Sequence, residues 1–86
     1  MSSVEELKLR VAATVAQTNQ AMLQLRGVGQ QLDEAIGMLR LTAAGSVHPT
    51  LIDAVNKLQQ ARERLDEAQL LANGAITDAD SWRSVA

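Results

Sequence analysis

Apolar and small side chains return at a helical interval along most of this chain. They fall at Val4, Leu7, Val11, Val15, Thr18, Met22, Leu25, Gly29, Leu32, Ile36, Leu39 and Ala43, eleven steps over 39 residues. A step of about 3.5 residues lies between the coiled-coil period and that of a straight helix. No stretch alternates with period two, so no strand is predicted. Ser3 followed by Glu6 fits a capping box, and Glu5 and Glu6 place negative charge where the helix dipole favours it. The first helix is therefore expected over about 3–43, roughly 60 Å long.

Gly27 and Gly29 interrupt that pattern, each at a cost of about 1 kcal/mol relative to Ala. Two readings stand: a break there, which would allow a monomeric three-helix bundle, or small residues at a close helix crossing. The second reading, a continuous or gently bent helix, is the expectation. The clear break is Ala44-Gly45-Ser46-Val47-His48-Pro49, a turn over 44–49. Gly45 suits a left-handed position after a helix, and Pro49 suits a first helical position. Ser46, His48 and Thr50 are alternative caps for the second helix. That helix reads Leu51, Ile52, Val55, Leu58, Ala61, Leu65, Ala68, Leu71 and Ala72, and Asn73-Gly74 is a strong stop signal. Its range is about 50–73, with Arg62–Asp66 and Arg64–Glu67 as supporting pairs. The tail, 74–86, either adds a turn or two from Thr77-Asp78-Ala79-Asp80 or frays.

A short connection makes the helices antiparallel neighbours. A second helix of roughly 35 Å covers only about half of the first. The stripe Val4, Leu7, Val11, Val15, Thr18, Met22 and Leu25 is then left bare, in a region where residues 11–25 carry no charge. Exposed aliphatic stripes are covered in stable proteins, burial contributing ~25 cal/mol per Å². The expectation is a homodimer forming an antiparallel four-helix bundle through those seven residues.

Composition sharpens this picture. Fourteen Ala, twelve Leu, one Trp, no Phe, no Tyr and no Cys make an aliphatic core without disulfides or thiolate chemistry. The 86 residues suit a single domain, 1–86, and so small a hairpin is marginal alone. A net charge of −2 gives no footprint for nucleic acid or an anionic membrane. The longest uncharged run, Val11 to Leu25, is too short and polar to span a bilayer. The acidic opening residues do not resemble a signal peptide, so a cytoplasmic location is expected.

Candidate chemistry is sparse. His48 is the only His and lies in the turn, where a capping role is the simpler reading. Leu32-Asp33-Glu34-Ala35 and Leu65-Asp66-Glu67-Ala68 are near-identical words, read as solvated faces beside a leucine seam. No Glu-x-x-His pair exists for a carboxylate-bridged metal site, and Gly27-Val28-Gly29 lacks the strand and Lys of a phosphate loop. No Ser/His/acid set can be assembled. Asp80-Ser81-Trp82 touches the Asp-Ser-Leu attachment motif of acyl carrier proteins, but only four residues follow, too few for such a domain. Trp82 reads as a plug over the open end of the hairpin. No catalytic, cofactor-binding or metal site is expected, and the protein is not expected to be an enzyme.

Val4-Glu5-Glu6-Leu7, the Gly45–Pro49 turn and the run Leu65-Asp66-Glu67-Ala68-Gln69-Leu70-Leu71 together resemble the short, uncharacterised helical-hairpin proteins of actinobacteria. Some of these are encoded near natural-product gene clusters. That resemblance implies a hairpin fold and a cytoplasmic origin. More loosely, the layout is similar to the Trp-x-Gly hairpin substrates of type VII secretion, with His48-Pro49 in place of Trp-x-Gly and no Tyr for an export signal. Functionally, a non-enzymatic interaction or scaffold protein is expected. A secreted hairpin effector and a binder of small apolar ligands, using flexible Met22 and Met38, are the alternatives.

Overall fold

The computed structural model describes residues 3–45 and 48–86. Helix α1 spans Val4–Ala44 and helix α2 spans Pro49–Val85, and the two lie antiparallel as an all-helical hairpin. The cap candidate Ser46 and its neighbour Val47 lie outside the described residues.

Each terminus follows from local chemistry. Ser3 has an extended backbone, and its hydroxyl accepts the Glu6 N–H at 3.2 Å, satisfying one orphan donor of the first turn. At the other end, Gly45 donates its N–H to Thr42 O at 3.2 Å, tightening the last turn. Its φ of −89° corrects the expected left-handed cap: the chain leaves α1 in a conformation any residue adopts. His48 is the cap of α2, its Nδ1 accepting the Thr50 N–H at 3.3 Å, and Pro49 takes the first position, where no N–H is required.

On continuity, one expectation holds and one is corrected. Helix α1 runs unbroken through Gly27 and Gly29, as the seam residues on either side hold it against α2. Helix α2 does not stop near 73; it continues through Asn73-Gly74 to Val85, so residues 74–85 are helix and not tail. The stop signal is a local preference of about 1 kcal/mol. Beyond it Ile76, Ala79 and Arg83 continue from Ala72 the spacing that faces α1. Thr77 donates its hydroxyl to Asn73 O at 3.0 Å, so it bonds back along the helix and starts no new one.

The helices, 41 and 37 residues long, are therefore nearly matched. The less exposed side chains of α1 recur at 8, 11, 15, 18, 22, 25, 29, 32, 36, 39 and 43; those of α2 recur at 51, 55, 58, 62, 65, 69, 72, 76, 79 and 83. This strict three-four alternation is the seam of an antiparallel coiled coil, with Ala12, Ala54 and Gln59 half-buried beside it. On α2, Ala61, Ala68 and Leu71 are exposed, and Arg62 and Gln69 hold the seam positions instead.

The result is a rod. Its extents are 65 × 19 × 15 Å and its radius of gyration is 19.4 Å, against about 12 Å for a compact chain of this length. Only Met22, Ile36 and Val55 form a buried hydrophobic core among the described residues.

Candidate interaction surface

With a and d denoting the seam positions of the heptad, positions e and g flank the seam on opposite sides. In an antiparallel pair e lies beside e and g beside g, so the hairpin has two unlike long sides. The grooves of the surface confirm the arrangement. Asp33, Ile36, Arg40, Gln59 and Arg62 line one groove, and Asn19, Met22, Arg26 and Asn73 another, both on the e side. Val11, Thr14, Val15, Thr18, Ala75, Ile76 and Ala79 line a groove of about 230 Å³ on the g side.

The e side is charged. It carries Glu5, Arg26, Asp33 and Arg40 from α1, and Asp66 and Asp80 from α2. All three cationic residues of the seam turn towards it. Lys8 pairs with Glu5 at 4.0 Å, and Arg83 pairs with Asp80 at 3.0 Å. Arg62 donates Nε–H to Asp33 at 3.0 Å and Nη1–H to Asp66. The Asp33 hydrogen bond holds the Arg62 guanidinium above its ordinary pKa, with the charges of Asp33 and Asp66 adding to it. The expected Arg62–Asp66 and Arg64–Glu67 pairs are both formed. Gly29 makes this geometry possible: a β-carbon there would lie 3.1 Å from the Arg62 guanidinium carbon. An arginine fills the seam because the facing helix offers a notch.

The g side is different. Its residues are Leu7, Thr14, Ala21, Val28, Ala35 and Thr42 on α1, with Ala54, Ala61, Ala68, Ala75 and Trp82 on α2. None is ionisable, and the side runs nearly the full rod. Its three largest side chains stay substantially open, Leu7 at 40 %, Val28 at 43 % and Trp82 at 38 % exposure. The hydroxyls of Thr14 and Thr42 are already spent on their own helix, donating to Arg10 O at 3.0 Å and Met38 O at 3.1 Å. Thr18 in the adjoining seam does the same to Thr14 O at 2.8 Å. These threonines therefore need no partner from outside, and covering them strands no donor. Elsewhere Leu9, Leu23 and Leu70 are exposed beside the charged side and Ile52 on it, while Met38, Leu71 and Val85 flank the neutral side.

The seven residues singled out from sequence distribute unevenly. Val11, Val15, Thr18 and Leu25 are half-buried and Met22 is buried, all facing α2. The premise that half of α1 stands bare is thus corrected, because α2 reaches the N-terminal end of α1. Val4 is 51 % exposed at the seam's end, and Leu7 belongs to the g side. Sequence reasoning missed the g-side column; the heptad recurrence of Ala54, Ala61, Ala68 and Ala75 was its visible trace. Among the described residues there is no cluster of His, Cys, Asp and Glu fit to hold a metal, and no helix long and apolar enough to cross a membrane. Compared with protein-family models, with curated proteins and with solved structures, the chain matches none.

Proposed function

We propose that this protein is a non-enzymatic helical interaction module that works by self-association, two hairpins forming a four-helix bundle. The observation that carries the reading is surface. The hairpin exposes 6432 Å², whereas a compact monomer of 9.2 kDa exposes about 4,900 Å². The surplus, about 1,500 Å² per chain, falls in the range that each partner of a permanent dimer buries. With three hydrophobic side chains buried among the described residues, a lone hairpin has little to offset the entropy of ordering its backbone.

The grooves accord with this reading better than with a small-molecule site. The apolar groove, about 230 Å³, falls short of the ~300 Å³ of ordinary ligand pockets. Larger grooves of about 400 and 430 Å³ are lined by charged residues such as Glu5, Asp80, Asp33 and Arg40. Thermal unfolding followed by circular dichroism over a hundredfold range of protein concentration tests the proposal. Mass action requires the midpoint to rise with concentration. A midpoint independent of concentration, with a light-scattering mass of one chain throughout, would overturn it.

A further inference from the structure

Resting on that self-association, we infer that the uncharged g side is the surface that receives the second copy, the charged e side facing outward in the dimer. Three independent features converge on this side. The first is charge. Burying the e side would desolvate Arg26 and Arg40, which form no ion pair among the described residues, together with the carboxylates that neutralise the seam cations. The g side itself holds no ionisable residue, and the nearest charges, Arg10, Lys57, Arg64 and Asp78, stand at its rim, where they can keep their water.

The second is hydrogen bonding. Thr14 and Thr42, the polar residues of that side, keep their hydroxyl protons on carbonyls of their own helix. A dry interface can close over them without an unsatisfied donor. The third is shape and area. Ala61 and Ala68 leave α2 nearly smooth there, so another helix can approach closely, while Leu7, Val28 and Trp82 stand out as apolar knobs. The apolar groove between Thr14 and Ala75 is a hole for such a knob. The surface surplus of about 1,500 Å² per chain asks for an occupant as long as the rod. A second copy, presenting the same neutral side across a two-fold axis, is such an occupant.

The test uses the full chain. Ala61→Glu combined with Ala68→Glu places two carboxylates on the g side at positions where Glu is nearly as good a helix former as Ala. Ala16→Glu places one carboxylate on the opposite side, between Leu9 and Leu23. Sedimentation equilibrium is expected to give twice 9.2 kDa for the unaltered chain and for Ala16→Glu. The double variant is expected to sediment as one chain, or with a dissociation constant raised at least a hundredfold.

Trp82 supplies a second readout that needs no variant, since it is the sole aromatic residue and lies on the g side. Its fluorescence is expected to shift to the red, and its quenching by acrylamide to rise severalfold, as dilution dissociates the dimer. A dimer that survives the double variant, or Trp82 emission unchanged while the mass halves, overturns the assignment of the face and leaves self-association standing. A monomer at every concentration overturns both.

Discussion

Arg62 and Gly29 show how one pair of residues can set the pairing of two helices. A guanidinium enters the seam of α2 because α1 has no side chain opposite, and Asp33 and Asp66 hold it. Sequence alone indicated the Arg62–Asp66 pair, which depends only on helical spacing. It could not indicate Arg62–Asp33, which depends on how the helices align. Nor could it show why Gly29 is glycine, since its reason lies 33 positions away. The consequence is measurable. Gly27 has nothing within 4 Å of an added β-carbon, so Gly27→Ala is expected to stabilise by about 1 kcal/mol, the helix-propensity gain. Gly29→Ala should gain less than half as much, because the guanidinium must move. In an Arg62→Ala background the two substitutions should become equivalent. Denaturant unfolding of the double-mutant cycle checks this, and equal gains in the parent chain would contradict the notch.

At the scale of elements, the lesson is how long-range packing overrides a local stop. Both helix starts were legible: Ser3, and His48 among the cap candidates, are short-range signals. The hairpin itself was legible from the Gly45–Pro49 interruption. The end of α2 was not. Asn73-Gly74 is a strong termination pair by local preference, yet Ile76 and Ala79 gain a partner surface at Val11 and Val15 if the helix continues. That preference costs about 1 kcal/mol, less than burying an aliphatic side chain contributes. Gly74→Ala separates the two structures. Nothing lies within 4 Å of a β-carbon at Gly74, so within a continuous helix the substitution stabilises by roughly 0.5–1 kcal/mol. By melting temperature this amounts to a rise of a few degrees. Were Gly74 a left-handed cap, the same change would lower it. Ile76→Ala should in turn cost about 2 kcal/mol, the ordinary loss for truncating a partly buried Ile, whereas a frayed tail would tolerate it.

For the molecule as a whole, the matched helices change the ground for self-association without removing it. The sequence pattern argues for a dimer from an uncovered half of α1, and in the folded hairpin α2 covers that half. The stronger reason is a rod with three buried side chains among the described residues, one charged side and one neutral side, exposing far more surface than a compact chain of its mass. The neutral side was only partly visible beforehand. The charge-free run from Val11 to Leu25 and the alanines of α2 were each apparent, but antiparallel pairing is what brings Leu7–Thr42 and Ala54–Trp82 to one side.

Small-angle X-ray scattering at several concentrations distinguishes a side-by-side dimer from a lone hairpin, since it reports mass and length together. Two hairpins packed side by side through their neutral sides should double the forward scattering expected of 9.2 kDa while keeping the maximum dimension near 65 Å. Scattering of a single 9.2 kDa rod at every concentration, or a doubled mass at about twice the length, would contradict it.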